Sequence, residues 1–154
     1  MTPCTPLDIA VESPLSADAA RLIAASDAVL LAHYPPEDCF SLDVGELDKP
    51  DIAFFVARCG PEAVGCVALV DCGHYGEIKR LFVDPMARGR GAARALMAAL
   101  ETHARAADLA CVRLETGDRL EAAVALYKRL GYSIREAFGD YENIPASLFM
   151  EKHL

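Results

Sequence analysis

Cations and glycines crowd one short stretch of this chain. Between residues 79 and 94, Lys79, Arg80, Arg88, Arg90 and Arg94 stand against Asp84 alone, with Gly89 and Gly91 among them. Arginines at a helix start oppose the helix dipole, so gathering them there is unfavourable by roughly 0.3 kcal/mol each or more unless an anion offsets it. Gly89 and Gly91 let the backbone approach an anion without a Cβ in the way, and Ala92 and Ala93 keep the next turn slim. A strand running into such a turn and then a helix collects backbone N–H groups around a phosphate. The chemistry expected is the holding of a diphosphate. The pattern G-x-x-x-x-G-K-[ST] is missing, and Arg94 stands where G-x-G-x-x-G needs its third glycine, which excludes nucleotide hydrolysis and dinucleotide binding.

The elements that must position this loop follow from periodicity. Residues 7–12 alternate as a strand. Ser16 is an N-cap ahead of Asp18 and the apolar face Ala19, Leu22, Ile23, Val29 and Leu30, and Pro35-Pro36 must end that helix. Residues 36–51 read as an acidic loop holding at most a short helical turn. Residues 52–58 and 64–70 form an antiparallel hairpin across residues 59–63, and residues 77–83 continue the meander to Asp84-Pro85. Residues 89–107 are rich in Ala, Leu, Met and Arg and favour a long helix. A strand at 110–115 is followed by a helix at 119–130 with Ala122, Ala123, Leu126 and Leu130 on one face. Late strands are expected at 132–135 and 147–151. The order β-α-loop-β-β-β-α-β-α-β-β is that of an α+β sheet with helices packed on it, and 154 residues make one domain of ordinary size.

Net charge is −8, and residues 1–57 hold all of it, with ten acids against Arg21 and Lys49. Such a chain lacks the basic footprint that nucleic acid or an anionic membrane needs, so neither is an expected partner, whereas a cationic partner fits the acidic third. No apolar run is long enough to span a bilayer. The six cysteines show no C-x-x-C pair, and with only four histidines no zinc spacing emerges, so no metal is expected. The first residues carry no basic group ahead of an apolar stretch, as a secretory signal would. A reducing cytoplasm with idle thiols is the expected location.

Arg88-Gly89-Arg90-Gly91-Ala92-Ala93 is similar to the acetyl-CoA signature Q/R-x-x-G-x-G/A of the GNAT family of N-acetyltransferases, matching every fixed position. The helix Ala123-Val124-Ala125-Leu126-Tyr127-Lys128-Arg129-Leu130-Gly131-Tyr132 resembles the family's A-x-x-L-Y-x-x-x-G-[FY] segment. The likeness is close over residues 50–136 and outlines the rest. It implies a GNAT fold: a mixed, mostly antiparallel sheet of six to seven strands, splayed between strands 4 and 5 and flanked by about four helices.

Roles carry over position by position. Amides of Arg88, Gly89, Arg90, Gly91, Ala92 and Ala93 would hold the CoA diphosphate, and backbone groups of Leu81, Phe82 and Val83 would pair with the pantetheine arm. Tyr127 matches the tyrosine that bonds the CoA sulfur and protonates the departing thiolate, although a helix-borne Tyr beside Leu126 can equally be core. Glu77, eleven residues before Arg88, stands where the family's histone-acetylating members place a base. It would deprotonate a substrate ammonium directly or through a water, or simply pair with Lys79 on its own strand face. His74 and Tyr75 are neighbouring substitutes. Leu120 replaces the family's frequent Asn, so no side-chain cofactor contact is expected there.

The resemblance therefore implies an acetyl-CoA-dependent acyltransferase acting on a primary amine of a small molecule or a peptide N-terminus, with acetyl-CoA as co-substrate. A CoA-sensing module without turnover and a protein-directed acetyltransferase are the alternatives. The acceptor walls would be residues 31–51 and 139–143, whose acids either concentrate a cationic amine or are merely solvated. Arg58, Lys79, Arg80 and Arg113 could instead hold a substrate carboxylate. A homodimer is consistent with the resemblance.

Overall fold

The hydroxyl of Ser16 accepts the N–H of Ala19 at 3.1 Å, and the helix it caps, α1 (Ala17–His33), stops just before Pro35. Local signals of this kind set most boundaries in the computed structural model, which describes residues 6–40 and 42–154. Within the acidic loop lie a 3₁₀ turn, Pro36–Asp38, and one helical turn, α2 (Val44–Leu47). Asp43 and Glu46 build a capping box for α2: the Asp43 carboxylate accepts the Glu46 N–H at 2.8 Å, and Glu46 accepts that of Asp43 at 3.3 Å.

Seven strands form one sheet: β1 (Leu7–Val11), β2 (Ile52–Cys59), β3 (Glu62–Asp71), β4 (Tyr75–Val83), β5 (Cys111–Gly117), β6 (Ser133–Arg135) and β7 (Ser147–His153). The order across it is β1-β2-β3-β4-β5-β7-β6. Every pair is antiparallel except β4 with β5. A parallel pair needs a crossover, and α3 (Ala92–Ala106) supplies it. The two strands pair from Tyr75 opposite Cys111 to Ile78 opposite Leu114 and no further, although both continue, so they splay beyond that point. The mixed sheet and its open parallel pair agree with the fold expected from the sequence.

The sheet has a core on each face. One packs Leu96, Met97 and Leu100 of α3 against Val67, Leu69, Val112 and Leu114. The other packs Leu22 of α1 and Leu47 of α2 against Phe54, Val56 and Cys66. The glycine-bearing helix start thus rests on a fully buried stripe, which fixes it relative to β4.

Two details differ from expectation. On α4 (Glu121–Arg129) the buried residue is Tyr127, with Ala123 and Leu130 packed beside it, while Ala122 is exposed. The stripe is 123, 127 and 130, because the large ring takes the centre of the contact and turns the helix by about one position relative to the smaller residues counted from the sequence. In β4 a bulge sets Arg80 and Leu81 against Val67, with the backbone of Arg80 at φ 60°. A bulge of this kind bends the strand and re-aims its groups next to the splay.

Candidate functional site

The Asp84 carboxylate accepts the N–H of Met86 at 2.9 Å, and Pro85–Ala87 make one 3₁₀ turn. Gly89 and Gly91 then adopt φ +83° and +78°, the left-handed region where a side chain is strained. Gly91 is the N-cap of α3 and offers no side chain to its first turn. The first backbone bond into α3 is Ala95 N–H to Gly91 C=O at 2.9 Å. As a result, among the described residues, the six consecutive amides of residues 89–94 donate to no protein acceptor. A Cβ built at Gly89 or Gly91 would meet nothing within 4 Å, so the space beside both glycines is open. Six undirected donors at the positive end of a fifteen-residue helix suit the oxygens of a diphosphate.

The charge of this region is organised differently from its sequence window. Arg88, Arg90 and Arg94 are exposed around the loop. Arg80 is buried, pairs with Asp27, and donates to the carbonyl of Leu42 at 2.6 and 2.8 Å. Lys79 pairs with Glu77 at 3.0 Å. Three of the five cations are thus exposed beside the glycine turn, Arg90 reaching Cys59 Sγ at 3.8 Å, and two hold the splayed strand in place. Arg58 is likewise committed to Glu12 and Asp18, and Arg113 to Glu151 at 2.6 Å.

Beyond the last β4–β5 pair the splay opens into a cavity lined by Leu81 and Phe82 on one side, Glu115 and Thr116 on the other, and Tyr127 at its floor. Tyr127 is 6% exposed and leans on Tyr132, with ring centroids 5.8 Å apart. Among the described residues its hydroxyl makes no hydrogen bond. Burial, and secondarily the Glu115 carboxylate, push its phenol well above the ordinary value, so the hydroxyl keeps its proton across the neutral range.

Glu77 stands on the sheet face opposite α3 and α4, together with Lys79. Its Oε2 accepts the Tyr141 hydroxyl at 2.5 Å and pairs with the Lys79 ammonium, which also donates to the carbonyl of Phe40 at 3.0 Å and contacts the Tyr141 hydroxyl. Oε1 of Glu77 has no partner among the described residues. Burial and the adjacent Glu77 raise the Tyr141 phenol far above its ordinary value, so it keeps its proton, donating to Glu77 while its oxygen accepts from Lys79. Lys79 lines the cavity and Glu77 lies behind it. Of the proposed substitutes, Tyr75 is stacked under Arg113, 4.3 Å from ring centre to guanidinium carbon, and His74 lies outside the cavity lining.

Sequence reasoning missed Glu115. It sits one residue past the last parallel pair, and its Oε1 accepts the Ser147 hydroxyl at 3.1 Å. Burial raises its carboxyl above the usual carboxylate range. The signal that could have found it is topological: ligands gather at the carboxyl ends of parallel strands where the strand order switches.

Tyr34, from the end of α1, closes the same cavity. Its hydroxyl accepts the N–H of Arg119 at 2.6 Å and donates to Asp118 at 3.0 Å, tying α1 to the β5–α4 turn. Gly117 makes room for it, since a Cβ there would lie 2.3 Å from the Tyr34 oxygen. Gly117→Ala should therefore expel Tyr34 and lower stability by about 1–3 kcal/mol, read as a lower urea midpoint at unchanged slope. An unchanged midpoint would show that the tie is dispensable.

Residues 20–132 match the family described as "Acetyltransferase (GNAT) family". An IAA acetyltransferase from Azospirillum brasilense is 46% identical over 148 residues, covering 95% of this chain and 97% of that protein. A solved structure from Klebsiella pneumoniae, assigned as an acyl-CoA N-acyltransferase, is 39% identical with TM-score 0.79, covering 96% and 97% of the two chains. An N-acetyltransferase from Thermoplasma acidophilum, solved with coenzyme A, shares the fold at TM-score 0.74 and 15% identity, covering 97% and 100%. With the diphosphate-suited amides, the splayed parallel pair and the buried tyrosine all in place, the chain belongs to the GNAT family of acetyltransferases and is an acyltransferase.

Proposed function

We propose that this enzyme transfers an acetyl group from acetyl-CoA directly to a primary amine of a small molecule or a peptide N-terminus. The observation that carries the reading is the run of six unpartnered amides, residues 89–94, following the strand whose end, Leu81 and Phe82, lines the splay cavity together with Tyr127. Bound acetyl-CoA supplies the acetyl group activated as a thioester.

The amides from Gly89 onward, with the Arg88 side chain at the rim, hold the diphosphate. Backbone groups of Leu81, Phe82 and Val83 on the side facing β5 have no strand opposite them, and they hydrogen-bond along the pantetheine arm. Tyr127 gives its proton to the departing sulfur as the C–S bond breaks and the new N–C bond forms. The amine approaches from the face of the sheet that carries Glu77 and Glu115. Glu115 draws it in as an ammonium ion, and Glu77 receives its proton through a water held at the open Oε1. Asp38 lines the same cavity as Glu115, which favours a cationic acceptor.

The test is thiol release from acetyl-CoA across a broad amine panel that includes peptide N-termini. Tight CoA binding with no release above the amine-free rate for any member would sink the enzyme mechanism and leave a binding module. Two variants separate the carboxylates. Glu77→Gln should lower kcat at least tenfold with the amine KM little changed, while Glu115→Gln should chiefly raise that KM. The Glu115 carboxyl titrates above the ordinary carboxylate range, so kcat/KM for the amine should fall as pH drops through that region, where the group becomes neutral. In Glu115→Gln that acid limb should disappear; an identical profile would remove Glu115 from the acceptor site.

A further inference from the structure

We propose that Cys111, Glu151 and His153 form a site for one borderline-soft divalent cation, zinc by the chemistry of its donors. The reading is independent of the acyl-transfer mechanism, since none of the three lines the cavity. The sheet brings them together. Cys111 and His153 are direct cross-strand partners on β5 and β7, and Glu151, two residues before His153, projects on the same face. One donor atom from each lies within 4.8 Å of the other two, and His153 Nε2 is 3.0 Å from Glu151 Oε1. A tetrahedral zinc with bonds of about 2.0–2.3 Å spaces its donors about 3.3–3.8 Å apart, within reach of small side-chain adjustments here.

What surrounds the carboxylate supports the assignment. Oε2 of Glu151 is taken by Arg113 Nε at 2.6 Å and by Arg135 at 2.5 Å. Two arginines on one oxygen fix the carboxylate and leave Oε1 turned towards the imidazole, which is how outer partners orient a ligating group. Burial is graded across the set: Cys111 is 5% exposed, Glu151 is half-buried, and the His153 side chain is 81% exposed. A cation therefore enters from the His153 side, and water completes the fourth position. A thiolate, an imidazole and a carboxylate select zinc over magnesium or calcium, which prefer oxygen donors alone. The two anionic donors balance the charge of the ion. Once bound, the metal staples β7 to β5 next to the splay and stabilises the fold by linkage. Spacing rules read ligands that are close in sequence, whereas this cysteine stands forty residues before Glu151.

The test uses the full chain stripped of metal and titrated with Co²⁺ as a spectroscopic probe, followed by displacement with Zn²⁺. One equivalent should produce a thiolate-to-cobalt charge-transfer band together with the visible bands of tetrahedral cobalt. His153→Ala removes an exposed side chain, so folding is unaffected, and it should weaken binding at least tenfold. Cys111→Ala should abolish the charge-transfer band, whereas joint replacement of Cys39, Cys59 and Cys72 by Ser should leave it intact. Zn²⁺ should raise the Tm of the wild-type chain and not that of His153→Ala. Absence of the band, its persistence in Cys111→Ala, or equal cobalt affinity in His153→Ala would overturn the site.

Discussion

Gly91→Glu is expected to abolish acetyl-CoA binding, with affinity reduced at least a hundredfold in calorimetric titration. Two separate effects act there. The backbone of Gly91 is at φ +78°, where any side chain is strained by about 1–2 kcal/mol. The protein itself leaves the space open, since a Cβ would meet nothing within 4 Å, so the new side chain projects into the volume the diphosphate would fill. It brings a carboxylate to the amides of residues 89–94, and like charges so close are unfavourable by several kcal/mol. At 1.4 kcal/mol per factor of ten, the charge effect alone exceeds the hundredfold threshold. Gly91→Ala separates the two contributions, because it keeps the backbone strain and adds no charge. It should lose some thermal stability and retain most of the binding. If Gly91→Glu binds CoA as the wild type does, residues 88–93 are not the diphosphate loop.

The parts of this architecture that could be read from the sequence are those set by contacts a few residues apart. Ser16 with Ala19, Pro35 after α1, and the glycines before α3 each fix an element through their own backbone chemistry. The same holds for the anion site, whose donors are consecutive amides. What escaped was decided by partners distant in the chain. Arg80 looked like a phosphate ligand because it lies in a basic window, yet the β4 bulge turns it onto Asp27 and the Leu42 carbonyl. Glu115 lay in an ordinary strand run, and only the end of its pairing with β4 exposes it to the cavity. Ala122 was placed on the buried stripe because apolar counting is blind to which residue on a helix is large enough to claim the centre. The acidic first third is also partly neutralised in the fold: Glu12 and Asp18 bind Arg58, and Asp27 binds Arg80. Of the acids in that third, Asp38 lines the cavity, so the charge present there is narrower than net charge implied.

Tyr127→Phe should lower kcat by roughly a hundredfold, at the low end of what a positioned general acid contributes, while leaving CoA affinity within a few-fold. The argument rests on what the hydroxyl lacks. Among the described residues it has no hydrogen-bond partner, although the ring is 6% exposed and packed against Tyr132. Removing it leaves no orphaned buried group behind, so the variant should fold with undiminished stability, and any loss of rate belongs to chemistry. Burial keeps the phenol protonated through neutral pH. Its proton is therefore present throughout the working range, and the acid limb of the pH profile, which reports Glu115, should be the same in variant and wild type. Single-turnover acetyl transfer read alongside steady-state thiol release would place the deficit in the transfer step rather than in product release. A fully active Tyr127→Phe would mean that the sulfur departs without a proton from this residue, and that the buried tyrosine serves only to floor the cavity.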